Sequence, residues 1–231
     1  MKRLAIAVVV AMAVAGVSST ATTEAPVAEA GRRDVIIVGD SIVAGNQNPI
    51  RQVLRQRGHD VTIDAQSGRT LTRSFPFQGT TVRSGVSAVR SLVASGRRPA
   101  LWIIELGTND HFGVGNCGCP DPVVAAGARI DALLAELPPG ANVAWVTVLD
   151  TDFPQSVVWF NTALTLRNLQ QIPWHDTAQF RPDWFLDDVH PSFPGVFALI
   201  DLLEDGIEAY LDGRQLGDRT ARRLGVSQYT L

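Results

Sequence analysis

Three residue types that together activate a hydroxyl occur near the two ends of this chain. Ser41 stands in the run Gly39-Asp40-Ser41, and His190 follows Asp187 by three residues and directly precedes a proline. A serine hydroxyl becomes a strong nucleophile when a histidine takes its proton, and a carboxylate then fixes the histidine tautomer. On a loop, this spacing lets Asp187 reach Nδ1 of His190 while Nε2 faces Ser41. We therefore predict a nucleophile, a base and an orienting acid at these positions.

Donors for a developing negative charge are also available. Ser41 opens a predicted helix, so its N–H points outward from a helix start. Gly68 follows the second predicted strand and can present an open backbone N–H, while Asn109, in Gly107-Thr108-Asn109-Asp110, follows the third and can donate its side-chain amide. Taken singly, these residues have simpler interpretations as a helix cap, a turn glycine and an Asx turn.

Other histidines and aspartates compete for the same roles. His59 precedes a strand and is expected at the surface or at the edge of that strand. His175 is expected at the end of a strand, and His111 follows the asparagine loop closely enough to contact a substrate. Only His190 has a carboxylate three residues before it and a proline after it. Asp188 and Asp183 are the alternative orienting acids, ranked behind Asp187.

The elements that position these residues alternate between apolar strands and amphipathic helices. This order predicts a parallel sheet with crossover helices, and continuous apolar runs indicate that both sheet faces are covered. The predicted strands are Asp34–Val38, Asp60–Asp64, Leu101–Leu106, Asn142–Leu149 and a weaker Pro173–Asp176. We expect an α/β fold that is a three-layer α/β/α sandwich, with the candidate residues at the carboxyl edge of the sheet.

Four helices are predicted from apolar periodicity. One follows Asn48-Pro49 and another follows Asp121-Pro122, since proline is tolerated in a first helical turn. The third is expected from Gln155 to Gln170, and the last carries an apolar stripe from Val196 to Tyr210 that is typical of a core-facing helix.

Four blocks of this sequence resemble, in order and spacing, those of the SGNH or GDSL-type hydrolases. The blocks are Gly39-Asp40-Ser41, Gly68, Gly107-Thr108-Asn109-Asp110 and Asp187-x-x-His190-Pro191, and they span roughly residues 34 to 200. The resemblance implies a flavodoxin-like α/β/α fold with a central, parallel, five-stranded sheet. It also implies Ser41 as nucleophile, His190 as base and Asp187 as orienting acid, with Ser41 N–H, Gly68 N–H and Asn109 forming the oxyanion hole.

The first thirty residues have the pattern of an export signal. Lys2 and Arg3 precede an apolar run of about 14 residues, too short for a membrane span, and a small-residue stretch ends at Ala30. We expect residues 1–30 to be a signal peptide, with cleavage after Ala21 or an uncleaved anchor as alternatives. Residues 31–231 are then one secreted domain, extracellular or associated with the cell wall, with a basic tail of unknown role at 213–231.

Cys117 and Cys119 are the only cysteines and flank a single glycine. Outside the cell they meet oxidising conditions, so we favour a disulfide that shapes this loop. A free pair and half of a metal site are the alternatives. Two thiolates without a nearby histidine pattern are a poor zinc site, and we expect no metal.

The charge balance restricts the partners. The net charge is −3, and removal of residues 1–30 leaves it unchanged, so nothing supports nucleic-acid binding. Asp40 in the first loop is poorly suited to a phosphate, which disfavours a flavin, and we expect no cofactor. A monomer without stable membrane insertion is expected after signal cleavage.

These observations favour a secreted serine esterase that hydrolyses carboxylic esters through an acyl-enzyme on Ser41. The same residues serve an O-acyltransferase or deacetylase acting on a cell-wall or extracellular glycan, and a non-catalytic glycan-binding module is the alternative from another class. The ester substrate is a small molecule or a glycan. Aromatic residues that can line an acyl pocket are Phe75, Phe77, Phe112, Trp159 and Phe160.

Overall fold

Apolar runs rich in valine and isoleucine form the strands, because branched side chains pack well on a pleated sheet that is covered on both faces. The structure is a computed structural model that describes residues 34–77 and 79–212, with the side chain of Phe112 excepted. The predicted signal peptide 1–30 and the tail 213–231 lie outside the described residues. The strands are β1 (Asp34–Gly39), β2 (Asp60–Ala65), β3 (Phe75–Phe77), β4 (Thr80–Val82), β5 (Leu101–Glu105), β6 (Val143–Val146) and β7 (Gln170–Ile172).

Five of these strands form one parallel sheet in the order β2-β1-β5-β6-β7. In the register of this sheet, Gly39 lies beside Ala65 on one neighbouring strand and beside Glu105 on the other. The carboxyl ends of β1, β2 and β5 therefore meet side by side, and the loops that leave them share one edge of the sheet.

Helices cover both faces of this sheet. They are α1 (Ser41–Ala44), α2 (Gln47–Gln56), α3 (Gly85–Ala94), α4 (His111–Gly115), α5 (Pro122–Leu134), α6 (Pro154–Thr165), α7 (Trp174–Ala178) and α8 (Phe193–Asp212). Successive residues of β1 face opposite layers, so Ile37 packs with α1, α2, α7 and α8, whereas Val38 packs with α3, α4, α5 and α6. The α/β/α sandwich with a five-stranded parallel sheet is confirmed.

The last third of the sheet differs from the sequence prediction. The fifth strand is β7 at Gln170–Ile172, and Pro173–Asp176 instead opens α7, with Pro173 at its N-cap. Proline lacks the N–H that a strand interior requires. The third predicted helix ends at Thr165, because Asn168 adopts a left-handed conformation with φ of 51° and the chain then turns into β7.

Two elements between β2 and β5 escaped prediction. Strands β3 and β4 pair antiparallel as a two-stranded hairpin that is separate from the main sheet. Ser84 is the N-cap of helix α3, since its hydroxyl accepts the N–H of Ser87. Serine is a preferred N-cap residue, so the sequence carried this signal. Among the described residues, no helix is long and apolar enough to cross a membrane.

Gly107 is the position where the fold leaves least room at the sheet edge, since its φ is 130° and an added Cβ would lie 2.5 Å from the Phe160 ring. We predict that Gly107→Ala lowers the free energy of unfolding by about 1–3 kcal/mol, through overpacking and backbone strain. Chemical denaturation measures the change. Gly113→Ala is the control, because an added Cβ there meets only the tip of Arg129 at 3.6 Å; an equal loss in both variants would contradict the prediction.

Candidate active site

Ser41, His190 and Asp187 lie in hydrogen-bonded succession at the carboxyl edge of the sheet. Nε2 of His190 is 3.0 Å from the Ser41 hydroxyl oxygen, and Nδ1 of His190 is 2.8 Å from the Asp187 carboxylate. A carboxylate only accepts hydrogen bonds, so the neutral ring carries its proton on Nδ1 and offers the Nε2 lone pair to the serine hydroxyl. The arrangement is competent to withdraw the hydroxyl proton.

Backbone hydrogen bonds within the loop before α8 fix the position of His190. One oxygen of Asp187 accepts the N–H groups of Val189 and His190, at 2.9 and 2.7 Å, and the other meets the ring. The N–H of Leu186 donates to the carbonyl of His190 at 2.8 Å, which closes the loop. The spacing of three residues therefore serves both the turn and the ring contact.

The charge of Asp187 is well stabilised. Burial would raise its pKa, but the N–H groups of His190 and Val189, together with the imidazole, lower the pKa to about 2. The side chains are nevertheless open to solvent, with 44% of His190 and 53% of Asp187 exposed. The candidate site is therefore an open one.

Two backbone N–H groups lie in the loops that leave β1 and β2 at this edge of the sheet. Ser41 N–H opens α1, and Gly68 adopts φ of 74° in the loop after β2. Within residues 34–77 and 79–212, neither N–H donates a hydrogen bond. Both are available to an oxygen that develops negative charge.

The Asn109 side chain completes this group of donors. Its amide nitrogen donates to the Asp40 carboxylate at 3.1 Å and to the Arg69 carbonyl at 3.2 Å, so it lies between the loops of Ser41 and Gly68. The residue is exposed. An incoming oxyanion must share an amide hydrogen that also contacts one of these oxygens.

Buried ionic groups that the sequence reasoning missed hold these loops. Arg69 is fully buried and binds the Asp64 carbonyl and carboxylate at 2.6 and 2.7 Å, which pins the Gly68 loop to β2. The carboxylate of Asp110 accepts the N–H of Leu71 at 2.9 Å and so joins the loops after β2 and β5. Burial raises the pKa of Asp110 to about 6. The sequence signal available for these residues was their position: Arg69 directly follows Gly68, and Asp110 is the last residue of the block Gly107-Thr108-Asn109-Asp110.

The competing residues are engaged elsewhere. His59 directly precedes β2 and is buried, so it is not a surface residue. His111 is buried too, and its Nε2 lies 3.0 Å from the Asp150 carboxylate. Burial lowers the pKa of His111. His175 begins α7 instead of ending a strand, and its Nδ1 pairs with Asp176.

Both alternative orienting acids also have other partners. The Asp188 carboxylate accepts the Thr151 hydroxyl at 2.8 Å, and the Asp183 carboxylate pairs with Arg181. Neither replaces Asp187 beside the histidine ring.

The cysteine loop lies between α4 and α5. Cys117 and Cys119 are joined by a disulfide with an S–S distance of 2.05 Å. Since each sulfur is bonded to the other, neither is a thiolate ligand. Among the described residues, no group of three or more histidine, cysteine or acidic side chains is arranged to hold a metal ion.

The aromatic candidates for an acyl pocket are divided. Phe160 is fully buried in the core beside Gly107, so the expectation that it lines an acyl pocket was wrong. Trp159 lies near Gly115. Phe75 does lie at the site, since a Cβ built on Gly68 would be 3.6 Å from its Cζ. Phe77 is 47% exposed on the same hairpin, and the Phe112 side chain lies outside the described residues.

Comparison with known proteins defines the fold through structure rather than sequence. Neither a protein-family model nor a curated protein sequence matches the chain. The C-terminal catalytic domain of peptidoglycan O-acetyltransferase A from Streptococcus pneumoniae aligns with a TM-score of 0.58 at 15% identity, over 78% of this chain and 96% of that domain. The chain has the fold of that domain.

Ester hydrolases share it too. A carbohydrate acetylesterase family member from Sinorhizobium meliloti aligns with a TM-score of 0.55 at 16% identity, over 78% of this chain and 99% of that one. The aryl esterase of M. smegmatis gives 0.51 at 16%, over 74% and 98%. The structural neighbours are thus esterases and an acetyltransferase.

The depressed pKa of Asp187 predicts a pH-dependent effect of its removal. Its folded pKa of about 2 lies below the ordinary value near 3.9, so the ionised carboxylate stabilises the fold above the unfolded pKa and loses that effect as the pH falls toward 2. We expect Asp187→Asn to lower the free energy of unfolding at neutral pH, with the difference from wild type shrinking between about pH 4 and pH 2. Denaturation across this range measures it, and a constant difference would contradict the prediction.

Proposed function

We propose that this chain is a serine esterase of the SGNH or GDSL type that hydrolyses carboxylic esters through an acyl-enzyme on Ser41. The observation that carries the proposal is the continuous hydrogen-bonded contact from Asp187 through His190 to the Ser41 hydroxyl. An α/β/α fold shared with esterases supports it.

In the proposed first half-reaction, the Ser41 oxygen attacks the ester carbonyl carbon while Nε2 of His190 takes the hydroxyl proton. The carbonyl oxygen becomes negative and accepts hydrogen bonds from Ser41 N–H, Gly68 N–H and the Asn109 amide. When the tetrahedral intermediate collapses, His190 returns the proton to the departing alkoxide. The alcohol leaves, and the acyl group remains on Ser41 as an ester.

The second half-reaction repeats these steps with water. His190 takes a proton from water, the hydroxide oxygen attacks the acyl-enzyme, and the proton passes to the Ser41 oxygen as the carboxylic acid leaves. Asp187 stays ionised throughout and stabilises the imidazolium that forms twice, as its low pKa requires.

Acyl transfer to or from a glycan is the second candidate, and the openness of the site favours it. With 44% of the His190 side chain exposed, a hydroxyl on a large polymer can reach Nε2 as readily as water. The exposed Phe193 stands three residues after His190 and offers an aromatic face for a sugar ring. Product analysis in the presence of a glycan acceptor separates transfer from hydrolysis.

We further propose that the protein acts after export, with residues 1–30 removed as a signal peptide and residues 31–231 as the secreted domain. The disulfide between Cys117 and Cys119 suits an oxidising compartment. The extracellular location, a monomeric state and an ester of a small molecule or glycan as partner belong to this proposal.

Removal of the nucleophile tests the esterase. We expect Ser41→Ala to reduce kcat on aryl acetate esters by at least about 10³-fold and to abolish labelling by an organophosphonate, because Ser41 carries the one hydroxyl that is hydrogen-bonded to the His190 ring among the described residues. Mass spectrometry of the labelled peptide locates the adduct. Ser91→Ala, an exposed serine on α3, is the matched control and keeps full activity. Unchanged turnover in Ser41→Ala, or glycan binding without labelling, would exclude the esterase.

Phe75 sets an expectation for acyl size. Its ring lies beside Gly68, one of the proposed oxyanion donors, and so limits the space next to the bound carbonyl group. We expect Phe75→Ala to raise kcat/KM for butanoyl relative to acetyl esters by about tenfold, through the space that the ring vacates. Phe77→Ala on the same hairpin is the control, because that ring is 47% exposed. An identical chain-length profile in both variants would refute this role of Phe75.

A further inference from the structure

Two buried carboxyl groups lie beneath the first turn of α1, where Ser41 begins the helix. Asp40 is fully buried, and Glu105, the last residue of β5, is 4% exposed. Gly39 permits this approach, because an added Cβ would lie 2.7 Å from Cβ of Val43 and 3.1 Å from the Glu105 carboxylate. Side chains that are costly to bury therefore occupy the space directly behind the candidate nucleophile.

These carboxyls satisfy the N–H groups of the helix start in a selective way. Asp40 accepts the N–H of Ile42 at 3.1 Å, while Glu105 accepts the N–H groups of Asp40, at 3.3 Å, and Val43. A helix start presents several N–H groups without intrahelical partners. Here the two acids take those around Ser41 and leave Ser41 N–H for the proposed oxyanion.

The same pair holds a second donor. The other oxygen of Asp40 accepts the Asn109 amide at 3.1 Å, so one carboxylate contacts both the helix that carries Ser41 and the side chain that completes the donor group. Displacement of Asp40 would move two of the three proposed oxyanion donors together.

The two carboxyls are hydrogen-bonded to each other, and this decides their protonation. Two adjacent carboxylates cannot both be ionised in a buried space without strong repulsion, so one proton lies between them. Burial, followed by the charge of Asp40, raises the pKa of Glu105 well above its usual value, whereas burial raises the pKa of Asp40 to about 7. At pH values above the Asp40 pKa, the proton between the two carboxyls therefore resides on Glu105.

Other charged groups near this pair also act on Asp40. Asp110 raises the pKa of Asp40, and His190 across the site lowers it. The buried Arg69 guanidinium also feels the Asp40 charge. These groups modify the ionisation of Asp40, whereas the Glu105 hydroxyl is the group that donates to it.

We propose that Glu105 is a positioning residue for the oxyanion site: its protonated carboxyl donates a hydrogen bond to the Asp40 carboxylate, which then holds Ser41 N–H and the Asn109 amide in place. This role rests on the proposed esterase function. Glu105 itself touches neither the substrate nor the nucleophile.

Two substitutions separate the hydrogen bond from mere space filling. Glu105→Gln keeps an N–H donor toward Asp40 and an acceptor for Val43, and we expect it to retain most of kcat. Glu105→Leu keeps the volume without either group, and we expect kcat to fall at least about tenfold with little change in KM, since oxyanion stabilisation acts in the transition state. Rates are referred to active sites titrated with the phosphonate, so unfolded protein does not contribute.

The pH profile gives a readout that a structural role would not move. Without its donor, the Asp40 carboxylate is harder to ionise, so the acid limb of kcat shifts to higher pH in Glu105→Leu and stays in place in Glu105→Gln. Glu204→Leu is the matched control, because Glu204 is a buried glutamate on α8 whose carboxylate pairs with Arg57 rather than with Asp40. It loses stability but keeps its kcat per titrated site and its acid limb.

A spectroscopic measurement keeps the proposal testable if Glu105→Leu does not fold. Roughly one pH unit above the Asp40 pKa, Asp40 and Asp110 are ionised, and the wild-type infrared spectrum should retain the C=O stretch of one protonated carboxyl. Glu105→Gln should lack that band. Absence of the band from wild type, its persistence in Glu105→Gln, or equal kcat in the Gln and Leu variants would overturn the proposal. Failure of the esterase itself is distinguished by Ser41→Ala, whereas the infrared band does not depend on turnover.

Discussion

The parallel pairing of β1 with β2 on one side and β5 on the other is the constraint on which the candidate site depends. Because Gly39 lies level with Ala65 and Glu105, the three loops that leave these strands begin at the same height on one sheet edge. Each loop supplies one proposed donor for the oxyanion, from Ser41, Gly68 and Asn109. A shift in register between these strands would separate groups that must act on one oxygen atom.

The base reaches this edge from a different part of the chain. His190 stands 149 residues after Ser41, on a loop that leads into α8, and the packing of α8 against the same sheet face as α1 brings the two together. The loop is shaped locally by Asp187, which accepts two backbone N–H groups and orients the imidazole. Local turn chemistry sets the orientation of the ring, and helix packing sets its distance from the serine.

Buried acids and a buried arginine join the loops behind the site. Arg69 anchors the Gly68 loop to β2, Asp110 ties that loop to the Asn109 loop, and the pair of Asp40 and Glu105 lies under the start of α1. Burial of such groups is expensive unless they are hydrogen-bonded, and these are. The exposed candidate residues therefore stand on a buried and hydrogen-bonded set of polar groups.

The parts of the fold that could be predicted are those that the local sequence pattern specifies. The fold class was confirmed because continuous apolar runs alternating with amphipathic segments allow few other solutions. The fifth strand was misplaced because β7, Gln170–Ile172, holds two glutamines and a single apolar residue, so no apolar run marks it as a strand. The acyl-pocket role suggested for Phe160 was wrong because the sequence does not show which face of a helix an aromatic residue occupies, and Phe160 faces the core.

The amino-acid sequence by itself determined the chemical groups, their order and the turn at Asp187 and His190, because these depend on neighbouring residues and short spacings. Only the tertiary structure decided that Ser41 and His190 lie 3.0 Å apart, that Asn109 lies between two loops, and that Glu105 lies under the nucleophile. Strand register and helix packing join residues far apart in the chain. Burial, which sets the protonation of Asp40 and Glu105, is a property of that packing.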